Sequence, residues 1–190
     1  MQPTIVRHAG SEQAKRALLL TGAPGVGKTT VIRRVATLLA GERLRGLYTE
    51  EMRVGGERQG FRLITFDGLE CIMAHVNLPK TSRVGKYGID VRALDEAASK
   101  ALRFDSQAYV YLVDEIGKME CLSEKFVSAV CALLTSGQPV VATVARKGAG
   151  LIAEVKQRPE CVLWEVTRGN RDQIPAAIVT WLRTGMATQP

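Results

Sequence analysis

Gly22-Ala23-Pro24-Gly25-Val26-Gly27-Lys28-Thr29, GAPGVGKT in one-letter code, satisfies the pattern G-x-x-x-x-G-K-[ST]. Glycines at these places let successive backbone N–H groups turn inward around phosphate oxygens, and the lysine reaches the β- and γ-phosphates. The pattern carries that meaning only between a strand and a helix, and both flanks are present. Upstream, Ala17-Leu18-Leu19-Leu20 is an apolar strand; downstream, Val31, Ile32, Val35, Leu38 and Leu39 recur at helical spacing and predict a helix ending near Gly41. The start of that helix adds partial positive charge beneath the phosphates. The expected phosphate cradle is therefore the octet above together with Thr30.

A second motif answers the first. Tyr109-Val110-Tyr111-Leu112-Val113 is an apolar strand that ends in Asp114 and Glu115. A carboxylate at the end of a buried strand is what a phosphate-bound magnesium ion needs, so Asp114 and the Thr29 hydroxyl are the expected Mg2+ ligands. Glu115 then has a separate task, to orient and polarise a water in line with the γ-phosphorus. Two adjacent acids closing a buried strand cost desolvation unless something cationic meets them. Asp114-Glu115-Ile116-Gly117 also fits D-x-x-G, the magnesium motif of small GTPases. Their guanine reader N-K-x-D is not matched, because Asn170-Arg171-Asp172-Gln173 puts the acid one place early. The distance in sequence between Lys28 and Asp114 leaves room for a further strand between the motif strands, which favours the additional-strand, catalytic-glutamate class. In that class the strand beside the P-loop strand ends in a polar residue that feels the γ-phosphate, and Thr143 is the candidate. Lys118 is a candidate for offsetting transition-state charge. Arg146 and Lys147 share that candidacy, with a surface role as the stronger reading.

The remainder of the chain supports an α/β fold. Strands are expected over 47–53 and 59–66, joined by a tight turn at Gly55-Gly56, with Asp67-Gly68 leading to a third over 69–76. They make an antiparallel meander inserted into the alternating pattern. Residues 79–88 read as a polar loop with three cations, either a solvated connection or a segment that closes over the triphosphate. Helices follow at Leu94, Ala97, Ala98, Ala101 and Leu102, over 123–135 with Ser123 as N-cap, over 151–156 and over 172–183; strands lie at 139–144 and 161–166. Nearly continuous apolar strands between helices imply a mostly parallel sheet covered on both faces, a P-loop three-layer sandwich. One domain over 17–183 is expected, with a flexible N-terminal extension over 1–16 and a tail over 184–190.

At 190 residues and 46% apolar composition the chain can bury one sizeable core. Lys, Arg or Gly interrupts every apolar run before membrane-spanning length, so no membrane role is expected. A net charge of +7 is scattered among acids, which does not favour nucleic acid as the main partner. Cys71, Cys121, Cys131 and Cys161 lie far apart and read as buried reduced thiols of a cytoplasmic protein. A monomer is expected, since no long apolar surface pattern asks for a partner.

The combined stretches GAPGVGKTT, YTEE at 48–51, Gly60-Phe61, RVGKYGIDV at 83–91, VDEIGKME at 113–120 and TRGNRD at 167–172 resemble the thermophile-type nucleoside-triphosphatases, whose animal member is called cancer-related nucleoside-triphosphatase. The resemblance covers roughly 17–183. It implies slow, magnesium-dependent hydrolysis of several nucleoside triphosphates, ATP, GTP, CTP and UTP, with little base discrimination. It also implies nucleotide contact along Tyr111, Leu112, Val113, Asp114, Glu115, Ile116, Gly117 and Lys118. Arg171 is the candidate for the base or ribose side. The alternatives are a P-loop phosphotransferase acting on a small molecule, and a nucleotide-dependent module binding nucleic acid or protein.

Overall fold

The computed structural model describes residues 16–185 and 189–190. The expected N-terminal extension lies outside the described residues except for Arg16, and Thr184 of the expected tail belongs to the last helix. Nine strands are described: β1 (Ala17–Gly22), β2 (Leu44–Val54), β3 (Glu57–Thr65), β4 (Glu70–His75), β5 (Arg83–Val84), β6 (Tyr87–Ile89), β7 (Val110–Ile116), β8 (Val140–Val144) and β9 (Cys161–Val166). The helices are α1 (Lys28–Leu38), α2 (Val91–Ala101), α3 (Glu124–Thr135), α4 (Leu151–Glu154) and α5 (Ile174–Thr184). All strands join one sheet in the order β5-β6-β4-β3-β2-β7-β8-β1-β9.

Side chains alternate across a strand, so a strand that is apolar throughout must be covered twice. In β1, Ala17 and Leu19 enter one apolar layer and Leu18 and Leu20 the other. In β7, Tyr111 and Val113 join the first layer, Val110 and Leu112 the second. Helices α1 and α5 close the second layer with Val31, Ile32, Val35, Ile178 and Trp181. Helices α2, α3 and α4 close the first with Leu94, Ala98, Phe126, Val130 and Ile152. Leu38 departs from its expected core position: it is 54% exposed at the end of α1, where Leu39 takes the buried place.

The strand expected between the two motif strands is β8. It pairs in parallel with β1, Leu20 opposite Thr143, and with β7, Val113 opposite Ala142. This sets the P-loop at the end of β1 and the acids of β7 on the same edge of the sheet, with Thr143 between them. Ligands of open α/β sheets bind outside such carboxyl ends.

The meander is β2-β3-β4. Gly55 and Gly56, at φ 56° and 82°, make the tight turn that only residues tolerating positive φ can form. The segment over 79–88 is more ordered than a loop: β5 and β6 form a small hairpin on the sheet edge, pairing through Ala74 and Ile89 with β4. None of residues 80–86 lines the phosphate cleft, so it is not a segment folded over that site. Ser123 caps α3 as expected, accepting from the Phe126 amide at 2.9 Å, and Asp90 caps α2 the same way through Ala93. The four cysteines are free and half-buried, less deeply placed than expected.

Candidate active site

Gly27 precedes α1 at φ 110°, a conformation that favours glycine and brings the chain into the helix with its amides exposed to the cleft. Lys28 follows. Its Nζ stands 3.7 Å from Oε2 of Glu115, an ion pair too long to be a hydrogen bond.

At the end of β7, Asp114 is only 1% exposed and accepts two hydroxyl hydrogen bonds. Thr29 Oγ1 donates to one carboxylate oxygen and Thr143 Oγ1 to the other, each at 2.6 Å. Burial pushes the Asp114 carboxyl above its ordinary range, while both hydroxyls and the Lys28 charge pull it back. Burial also raises Glu115, with Lys28 opposing the shift and the Asp114 charge reinforcing it. Both effects favour a cation at this place. The Asp114–Glu115 peptide bond is cis.

A third acid lies behind these two. Glu120 is 6% exposed in the turn after β7, and burial, reinforced by the charges of Glu115 and Asp114, pushes its carboxyl up to about 8. It is therefore mostly uncharged at neutral pH. A Cβ at Gly117 would come within 2.8 Å of Glu120 Oε2 and 3.5 Å of Glu115 Cγ, so glycine leaves room for both acids around the turn. Single-sequence reading missed Glu120 because an acid in a polar turn is usually solvated; the apolar Met119 and Cys121 beside it were the only signal.

The donor set suits a hard divalent ion. Thr29 and Asp114 present oxygen atoms 2.6 Å apart beneath the cradle. Magnesium keeps several waters and binds through one or two protein groups plus phosphate. Among the described residues no three His, Cys, Asp or Glu side chains gather as a protein cage for a metal. The chemistry fits an ion shared with a phosphate chain.

These groups open into a cleft of about 900 Å3. Its P-loop side consists of Gly22, Pro24, Gly25, Gly27, Lys28, Thr29 and Thr30, with Glu115 at the back. Ala145, Arg146 and Lys147 line it after β8, and Lys156 Nζ holds that turn by donating to the Ala145 and Arg146 carbonyls at 2.6 and 2.9 Å. Arg146 and Lys147 are thus both exposed and on the cleft. The opposite wall comes from the meander: Thr49, Glu50, Glu51, Arg58 and Phe61, joined by Arg33 of α1.

Comparison with known proteins agrees with this geometry. The NTPase family model matches residues 17–179. This chain belongs to the NTPase family. Nucleoside-triphosphatase THEP1 of Thermotoga maritima is 40% identical over 167 residues, 87% of this chain and 95% of that protein. Human cancer-related nucleoside-triphosphatase is 35% identical over 185 residues, covering 89% and 97%. The crystal structure of THEP1 from Aquifex aeolicus superposes with a TM-score of 0.80 at 37% identity, covering 87% of this chain and 98% of that one. The fold is that of the P-loop NTPases.

Not every residue suggested by the family resemblance reaches the cleft of this NTPase. Tyr111, Leu112, Val113 and Ile116 are fully buried inside β7 and face the apolar layers, because strand alternation points them into the cores. The Tyr111 hydroxyl is used at the far end of the strand, donating to the Arg103 carbonyl and accepting from the Asp105 amide. Gly117 is buried; Lys118 is exposed and does not line the cleft. Thr143 is fully buried, and its hydroxyl is given to Asp114 instead of facing the cleft. Ala23 and Val26 line a side hollow with Thr167 and Arg168. Arg171 lies over the P-loop, donating to the Val26 carbonyl at 3.3 Å and sharing a second hollow with Thr30, Arg34 and Asp172. Asn170 is used within its own turn, where its side chain accepts from the Thr167 amide and donates to the Glu165 carbonyl.

Proposed function

We propose that this NTPase hydrolyses ATP, GTP, CTP and UTP to the diphosphate and inorganic phosphate in a magnesium-dependent reaction, slowly and with little choice of base. The observation that carries the reading is that Lys28, Thr29 and Glu115 line one cleft, Lys28 paired with Glu115 and Thr29 hydrogen-bonded to the buried Asp114. The backbone amides over 22–30 cradle the phosphates, and Lys28 Nζ neutralises charge at the β–γ bridge. Thr29 and Asp114 would hold the magnesium ion, which would supply positive charge to the phosphate chain. Thr143 is a positioning residue that orients Asp114 through its hydroxyl. Glu115, its proton affinity raised by burial, orients the attacking water and accepts a proton from it. Its closeness to Lys28 changes once the lysine engages phosphate, which frees the carboxylate for water.

Base tolerance follows from what lies beside the P-loop. Asn170 is committed to its turn, and Arg171 offers a planar guanidinium that stacks on any base. A monomeric, cytoplasmic enzyme that works without nucleic acid completes the reading. Many of the basic side chains are paired with neighbouring acids, as in Arg43–Asp105 and Arg62–Glu70, instead of forming one basic patch.

Phosphate release from the four triphosphates with magnesium, compared among wild type, Glu115→Gln and Lys28→Ala, tests the reading. Hydrolysis of all four, lost in Glu115→Gln while nucleotide still binds, is expected. Turnover of Glu115→Gln within about threefold of wild type, against the 10² or more expected of a general base, would remove Glu115 from the mechanism. Unchanged nucleotide affinity in Arg171→Ala would likewise remove Arg171 from the base side.

A further inference from the structure

Hydrolysis leaves one wall of the cleft without a task. Glu50, Glu51, Arg58 and Phe61 line the same cavity as Lys28 and Glu115. At about 900 Å3 the cavity is near the top of the range, roughly 300 to 1,000 Å3, that encloses a drug-sized ligand. The nucleoside end of a triphosphate has other places to lie, in the hollows beside Arg171 and Thr167. Lys28 marks the β–γ end of the phosphate chain. In the sheet β2 adjoins β7, which carries Glu115, whereas Arg171 follows β9 on the far side of β1, so the meander wall lies on the γ-phosphate side, where a nucleophile arrives in line.

The wall is preorganised. Arg58 Nη1 donates to Glu51 Oε1 at 2.8 Å and Nε to the Tyr87 hydroxyl at 2.9 Å. Its guanidinium stands 5.0 Å from the centre of the Phe61 ring and 5.7 Å from that of Tyr87, and those two rings meet edge to face. A planar cation held at so many points is a stacking surface for a further ring. The charges that line the wall balance two against two, Arg33 with Glu50 at 3.1 Å and Arg58 with Glu51 at 2.8 Å, while Arg53, off the lining, also pairs with Glu51. Arg146 and Lys147, across the cleft, make no ion pair among the described residues and are left to attract phosphate. A balanced, aromatic-backed wall whose carboxylates retain lone pairs suits a neutral planar molecule bearing hydroxyls, and does not suit a second polyanion.

We propose that this wall is a subsite for a neutral, nucleoside-like acceptor, a planar heterocycle with sugar hydroxyls, that competes with water for the γ-phosphoryl group. The inference rests on the triphosphate-hydrolysis reading of the P-loop half. In the transfer, the acceptor hydroxyl oxygen bonds to the γ-phosphorus while the bond from that phosphorus to the β–γ bridging oxygen breaks. The diphosphate leaves with the electron pair, and the hydroxyl proton passes to Glu115.

The test supplies γ-labelled ATP and magnesium with adenosine, guanosine, cytidine, uridine or thymidine in turn, and separates label in nucleoside monophosphate from label in free phosphate. At least one nucleoside is expected to take label. In Arg58→Ala and in Phe61→Leu, which keeps apolar bulk, the ratio of monophosphate to free phosphate is expected to fall about tenfold. An active hydrolase that labels no nucleoside, and shows no nucleoside binding by saturation-transfer NMR beside a nonhydrolysable ATP analogue, overturns the subsite alone. A KM for ATP raised about tenfold in Arg58→Ala, with no nucleoside labelled, also overturns it, since the wall would then hold the triphosphate's own base. Absence of ADP with or without nucleoside overturns the hydrolysis reading beneath it.

Discussion

On its P-loop side the cleft is lined by neighbours in sequence, the stretch 22–30 and Glu115 at a strand end; on its meander side Thr49, Glu50 and Glu51 of β2 meet Arg58 and Phe61 of β3 across an antiparallel pair. The first side draws its chemistry from backbone amides, a helix start and carboxylates kept from water. The second draws it from side chains that hold one another: an arginine on two rings, a carboxylate between two arginines. Backbone chemistry needs particular residues in unbroken order, so it leaves a pattern in the chain. Side-chain assembly needs only a register, and many residue pairs satisfy it.

If the two sides divide the work in this way, variants on each should fail differently. The largest effect is expected from Glu115→Gln, a loss of about 10² to 10⁴ in kcat with nucleotide affinity kept, read by phosphate release and equilibrium binding. A smaller effect, specific to the buried side, comes from Glu120→Gln. The folded protein holds the Glu120 proton up to about pH 8, against an ordinary value of 4.5. Folding therefore binds a proton between those values, and wild-type stability falls as pH rises from about 4.5 to about 8. The amide has no proton to lose, so the stability of Glu120→Gln relative to wild type should grow over that window by up to a few kcal/mol, at about 1.4 kcal/mol per pH unit. Urea unfolding at pH 5 and pH 8 measures it, and an unchanged gap would show that Glu120 titrates normally.

Thr143→Val should destabilise by about 1 to 3 kcal/mol, because one oxygen of a buried carboxylate loses its donor. It should also lower kcat more than it alters nucleotide affinity, since Asp114 is left misoriented; an equal change in both would assign Thr143 a packing role only. The smallest effect is expected on the meander side. Tyr87→Phe removes the hydroxyl that accepts from Arg58 and should cost about 0.5 to 1.5 kcal/mol, with ATP hydrolysis unaltered. A large loss of hydrolysis in Tyr87→Phe would erase the distinction between the two sides.

Legibility in the sequence follows the same division. Thr29, Lys28, Asp114 and Glu115 were readable because a phosphate cradle and a buried strand ending in acids have few other meanings. The strand between them was readable as well, and Thr143 was placed at its end. Its target was not: a threonine at a strand end can turn to the cleft or to a neighbouring carboxylate, and Asp114, buried and short of donors, takes the hydroxyl. The run from Tyr111 to Ile116 differs in its side chains. Family resemblance marked it as a contact segment, yet an apolar strand between two covered faces has no side chain to spare for a ligand until Asp114 and Glu115.

By itself the sequence determined the sheet with two covered faces, the inserted meander and the glycine loop between β1 and α1, because each depends on local periodicity, glycine conformation and the cost of burying charge. Only the tertiary structure decided that Glu120 is buried close to Glu115, that residues 80–86 stay off the cleft lining while Tyr87 backs Arg58, and that Arg58 and Phe61 complete the cleft. Those outcomes turn on distances between strands that neither neighbour encodes alone.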